Sequence, residues 1–84
     1  MPELQIYSRK GCHLCEILIE ELLPLVHGAL AVEVHDIDSC PEWQAKYGTR
    51  VPVVEYEGRV ICQYRVDGEA ISALLGSLPA ASGD

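Results

Sequence analysis

Cys12 and Cys15, three positions apart, are the residues of this 84-residue chain whose type and spacing most directly imply chemistry. A disulfide between them closes so short a loop that the chain-entropy estimate of its stabilisation is only about 2 kcal/mol. The spacing is therefore a poor staple, but it brings two sulfurs together. A thiol pair placed this way serves disulfide exchange or metal ligation. Two more cysteines, Cys40 and Cys62, stand alone. Four cysteines in a small chain can also form the framework of a secreted domain. The stretch Met1 to Lys10, however, lacks the apolar region and small-residue cleavage site of a secretory signal. A cytoplasmic location is expected.

Exchange needs a thiolate, and a cysteine with an ordinary pKa of roughly 8.5 supplies little of it at neutral pH. From Cys12 onward the apolar residues Leu14, Ile17, Leu18, Leu22, Leu25 and Val26 recur with a helical period, while Glu16, Glu20 and Glu21 fall mostly elsewhere. The pair thus opens a helix, where unpaired N–H groups and the macrodipole favour an anion. Arg9 and Lys10 add positive potential just before it. Cys12 is the expected nucleophile and Cys15, one turn on, the resolving thiol. A protonated His13 would tune the pair toward stronger oxidation; otherwise it is an exposed helix residue. His27 and His35 read as surface residues, Cys62 as a small core hydrophobe, and Cys40 as a minor candidate for regulatory oxidation. Trp43 and the tyrosines read as core or rim.

The elements that hold these residues follow from local patterns. Glu3 to Tyr7 alternates as a half-buried strand ending at Ser8. Pro24 predicts a kink or an end of the first helix near Leu23, with Gly28 closing whatever continues. Ala31 to Ile37 is a second strand. Ser39-Cys40-Pro41-Glu42 has the form of a capping box, predicting a short helix to Tyr47 with Gly48 as its left-handed stop. Pro52–Tyr56 and Arg59–Tyr64 flank Glu57-Gly58 as a hairpin. Asp67 caps a third helix carrying Ile71, Leu74, Leu75 and Leu78, and Pro79 to Asp84 is expected to be a frayed tail. The first strand-helix-strand unit should form a right-handed parallel crossover, and the hairpin makes the sheet mixed. One domain fills the chain.

Cys12-His13-Leu14-Cys15 at the start of the first helix, with Thr49-Arg50-Val51-Pro52 before the third strand, resembles the thioredoxin fold and especially its glutaredoxin-like branch, over roughly Glu3 to Leu78. The resemblance implies an α/β fold of order β-α-β-α-β-β-α, with a four-stranded mixed sheet flanked by helices, and thiol-disulfide oxidoreductase activity. It also implies a cis Val51–Pro52 bond facing the dithiol and a Val51 backbone that pairs with substrate as an added strand. Arg9 and Arg50 could meet a ligand carboxylate, Lys10 adds charge, and Asp67 stands where an amino end would be received. Glutathione-using relatives typically carry Gly-Gly and an acidic pair after the fourth strand; here that region reads Arg65-Val66-Asp67-Gly68-Glu69. His13-Leu14 likewise stands in place of the Pro-Tyr usual in dithiol relatives. The expected partners are a disulfide-bearing protein or glutathione, the latter as co-substrate with no tightly bound cofactor, and a reductase that restores the dithiol. The protein is expected to act as a monomer.

A net charge of −7 with only six Lys and Arg argues against nucleic acid and anionic membranes. No apolar run is long enough to span a bilayer. Two other readings remain open. Cys12 and Cys15, with His13 or Cys40, could hold zinc or an iron-sulfur cluster, although the second half-site is missing and another subunit or an exogenous thiol would have to supply it. The fold could also serve as a non-catalytic binding module. The intact pair ranks redox chemistry first, metal second and scaffold third.

Overall fold

Leu4 and Ile6 are fully buried on one face of the first strand, and Gln5 and Tyr7 alternate to the other; this period of two decides where every layer goes. The computed structural model describes residues 2–78. Its elements are β1 (Glu3–Ser8), α1 (His13–Val26), β2 (Ala31–Asp36), a 3-10 turn (Ile37–Ser39), α2 (Pro41–Tyr47), β3 (Val53–Tyr56), β4 (Arg59–Gln63) and α3 (Gly68–Ser77). The sheet order is β2-β1-β3-β4. β1 runs parallel to β2, from Glu3 opposite Ala31 to Ser8 opposite Asp36, and antiparallel to β3, with Ile6 opposite Val54. The expected mixed four-stranded α/β architecture is therefore present. The expected tail lies outside the described residues.

On the Leu4 and Ile6 face, Leu18, Leu22 and Val26 of α1 and Ile71 and Leu74 of α3 close a core with Val54, Tyr56 and Cys62. The buried positions of α1 are Cys15, Leu18, Leu22 and Val26, whereas Leu14 and Leu25 stay exposed. Of the two outcomes expected at Pro24, an end of α1 near Leu23 does not occur: the helix runs through it to Val26. Proline removes the bond to the Glu20 carbonyl, but Val26, 1% exposed, anchors the last turn in the core. Gly28, at φ +84, then turns the chain.

The second face carries α2. Ile37, Tyr47 and Val53 are buried there, with Tyr7, Trp43 and Val51 packed against them. The capping box does not form. Cys40 occupies the N-cap of α2 without a side-chain cap bond, and the Ser39 hydroxyl donates instead to the Asp36 carbonyl at 2.7 Å. The intervening 3-10 turn captures Ser39, with the Asp36 carboxylate accepting from the Asp38 amide. β2 consequently ends at Asp36, one residue short of the expected Ile37. Gly48 is also not a left-handed stop: its φ of −51 is helical. Glycine is required there by close approach, since a Cβ would lie 2.5 Å from the Gln44 carbonyl oxygen. The hairpin has Glu57 at φ 51 and Gly58 at φ 81, the pattern of a type I′ turn. Val54 faces Cys62 while Glu55 faces Val60, so Ile61 is an extra residue in β4.

Glu55 is the one buried charged residue of the described core. Tyr47 donates its phenol to the Glu55 carboxyl at 2.6 Å and stacks on Tyr7 at 4.2 Å between centroids. Burial first, and then this bond to the carboxyl, push the Tyr47 phenol well above its ordinary value of 10. With the native value above the unfolded one, the contribution is whole at neutral pH and is lost as pH rises above about 10 toward the native value. Tyr47→Phe leaves the carboxyl without its donor. We expect a loss of about 2 kcal/mol in stability at pH 7 by denaturant titration.

Candidate active site

The parallel and antiparallel neighbours of β1 bring three loops to one end of the sheet. The C-terminal end of β1 leads into the Cys12 loop, that of β2 into the 3-10 turn, and the pairing of Tyr7 with Val53 sets the start of β3 beside the end of β1. Gly11, at φ +76, turns the first loop into the helix. The Cys12 amide donates to the Arg9 carbonyl at 3.2 Å, and Cys12 becomes the N-cap of α1.

Cys12 and Cys15 are joined as a disulfide, with their Cα atoms 5.2 Å apart. The two sulfurs are not equivalent. The Cys15 amide donates to the Cys12 sulfur at 3.1 Å, which is the N-cap bond of a helix made to sulfur. Cys12 is half-buried, while Cys15 is 2% exposed on the core side of α1. An attacking thiol must be reached from outside and must carry charge; only Cys12 has both the access and the helix-start donor.

Two of the three expected cations are engaged by other residues. Arg9 makes a two-pronged pair with Asp38, its Nη2 at 3.0 Å from Oδ1 and its Nε at 3.2 Å from Oδ2, and Nη1 donates to the Gly48 carbonyl at 3.3 Å. Arg50 donates through Nε to Gln63 at 2.9 Å. Lys10 is exposed. Asp67 caps α3 by accepting from the Glu69 and Ala70 amides. His13 is an exposed residue whose Nδ1 lies 3.7 Å from the Glu16 carboxylate. The Val51–Pro52 bond is cis, with Pro52 buried and Val51 half-buried.

His35 is not the surface residue expected from its neighbours in sequence. It stacks on Tyr7 at 5.1 Å, bonds Gln5, and tilts against Trp43. Burial pushes the Cys62 thiol up, consistent with a packing role, and Cys40 is a partly exposed thiol. Among the described residues no group of three or more His, Cys, Asp or Glu side chains is arranged to hold a metal ion, so the metal reading gains no third ligand from them. No helix among them is long and apolar enough to cross a membrane. Asp38, Gly48, Gln63 and Tyr64 organise the site but carry no sequence signal beyond the glycine itself.

The family model of the glutaredoxin-like domain (DUF836) matches residues 3–76. The chain belongs to this glutaredoxin-like family. Among solved structures it is similar to the Northeast Structural Genomics target protein XcR50 from X. campestris. The X-ray structure of that protein is 30% identical, with a TM-score of 0.68, covering 90% of this chain and 99% of that one. Its solution structure is 33% identical, also with a TM-score of 0.68, covering 96% and 100%. No curated protein matches the chain.

The guanidinium of Arg9, followed by the Gln44 amide, holds the Asp38 carboxyl below its ordinary value of 3.8. With the native value under the unfolded one, the contribution is whole above about pH 4 and is lost as pH falls through the native value. Asp38→Asn should therefore lower the denaturation midpoint at pH 7. The difference from wild type should shrink as acidification protonates the Asp38 carboxylate.

Proposed function

We propose that the protein is a thiol-disulfide oxidoreductase whose Cys12 attacks substrate disulfides and whose Cys15 resolves them. The observation that carries this reading is the asymmetric pair itself: an accessible sulfur on the helix start and a buried one a turn away, already joined. In the reduced protein the Cys12 thiolate displaces one sulfur of a substrate disulfide as a thiolate, forming a mixed disulfide. Cys15, losing its proton, attacks the Cys12 sulfur, releases the second substrate thiolate and leaves the oxidised pair. Two electrons pass to the substrate, and an external thiol or dithiol reductant, such as glutathione or a reductase, returns them.

Val51 is the proposed strand-pairing position. Among the described residues neither its N–H nor its C=O makes a backbone hydrogen bond, while the neighbouring Thr49 and Pro52 carbonyls are engaged. An extended substrate could pair with it as an added strand. Lys10 is the cation left exposed to help the thiolate. The thiols of Cys40 and Cys62 suit a reducing compartment such as the cytoplasm.

Two measurements test the division of labour. In the reduced protein, Cys12 should be alkylated fastest of the four cysteines and titrate below the ordinary thiol, as read from rate against pH in single Cys-to-Ser variants. Cys15→Ser should accumulate a mixed disulfide on Cys12, visible by intact mass, whereas Cys12→Ser should trap at least about tenfold more slowly. Equal trapping by both variants would sink the assignment.

A further inference from the structure

Where β4 ends, the backbone takes a conformation that a tyrosine does not favour. Tyr64 has φ 67, in the left-handed region where a side chain crowds its own backbone and glycine is the unstrained occupant. Tyr64 is nevertheless 45% exposed and belongs to neither core cluster. Core packing therefore does not account for the residue. The segment before β3 holds it in place: the Tyr64 amide donates to the Pro52 carbonyl at 2.8 Å and its hydroxyl to the Thr49 carbonyl at 3.4 Å. One residue earlier, Gln63 accepts from Arg50. These three bonds bracket Val51.

Several polar groups of this neighbourhood are engaged within the protein. The Arg65 amide bonds the Gln63 carbonyl at 2.7 Å, Arg50 is held by Gln63, Arg9 by Asp38, and an Asp67 oxygen by two α3 amides. A small zwitterionic peptide depends on such groups to fix its charged ends. Beside the exposed Arg65 and Asp67, two exposed side chains offer apolar surface: Tyr64, and Leu14 between the two cysteines at 46% exposure. The net charge of −7 also opposes the approach of an anionic small disulfide.

We propose that Tyr64 is a specificity-determining residue, whose exposed ring beside the Val51 segment acts with Leu14 to select disulfides carried on an extended polypeptide with apolar neighbours over that of a small charged tripeptide. The proposal rests on the disulfide-exchange reading above and uses the same transfer of two electrons. Strain held at an exposed site by flanking hydrogen bonds is the feature that directs attention to this residue rather than to the other surface aromatics. A flat amphipathic ring next to a strand-pairing position gives a bound peptide apolar area at little entropic loss.

The test uses the full chain, reduced beforehand, with two probes: glutathione disulfide, and a synthetic peptide disulfide with leucine on both sides of each cysteine. Oxidation of the protein is followed by quenched alkylation and intact mass, giving a half-saturation concentration and a limiting rate for each. Wild type should favour the peptide by at least about tenfold in their ratio. Tyr64→Gly, which suits the backbone conformation and so keeps the fold, should lose most of that preference through half-saturation rather than limiting rate. Tyr64→Phe keeps the ring and loses only the long hydroxyl bond to Thr49, so it should retain most of the preference. Equal use of both disulfides by wild type, an unchanged preference in Tyr64→Gly, or a loss in Tyr64→Phe as large as in Tyr64→Gly overturns the proposal but leaves disulfide exchange standing. Oxidation by neither probe overturns both.

Discussion

The central position of β1 is the constraint on which the rest of the structure depends. It is hydrogen-bonded on both edges, parallel to β2 and antiparallel to β3. Its alternating side chains feed both layers, Leu4 and Ile6 toward α1 and α3, Tyr7 toward α2. A strand fixed on two edges and two faces delivers the following loop to a defined place, and that loop carries Cys12. Because β3 runs antiparallel, its first residues must return to the same end of the sheet. The dithiol and the Val51–Pro52 segment share that end as a consequence of strand order.

Arg9 shows how the site divides its few cations. A guanidinium near a thiolate would stabilise it, but this one ties the Cys12 loop to Asp38 after β2 and to Gly48 after α2. A fork-shaped donor with five N–H groups suits three-point anchoring better than the compact ammonium of a lysine. The pairing also neutralises much of the charge that Arg9 could project. In the proposed exchange, a Cys12 thiolate would depend mainly on the amide of Cys15 and the start of α1.

The sequence made the main elements and the dithiol legible because both depend on local information: period, turn residues and a short motif. The Asp67 cap, the Glu57-Gly58 turn and the helix opened by Cys12 all formed as their neighbours dictate. Readings failed where a competing contact, distant or local, outweighed the preference read from the pattern. Val26 in the core carries α1 past Pro24, and the turn at Asp36 takes Ser39 away from α2. The roles of Arg9 and Arg50 were illegible for a related reason, since their partners Asp38 and Gln63 are 29 and 13 residues away in sequence. Nothing in the types of those residues announces the pairing. Tyr64 is the extreme case, because its left-handed backbone contradicts the preference of its residue type.

The face opposite α1 also bears on the site. α2 has only seven residues and no side-chain cap, too little to hold its own position by local bonds. Its last residue, Tyr47, is fastened by stacking on Tyr7 and by donating to the buried Glu55. A buried carboxyl is costly unless hydrogen-bonded, and the same cost makes the bond directional, since few other placements of α2 would satisfy it. The chain passes from Tyr47 through Gly48, which Arg9 holds, directly into Thr49 to Pro52. Glu55 in β3 therefore fixes the start of the segment that leads to Val51, while β3 itself fixes its end.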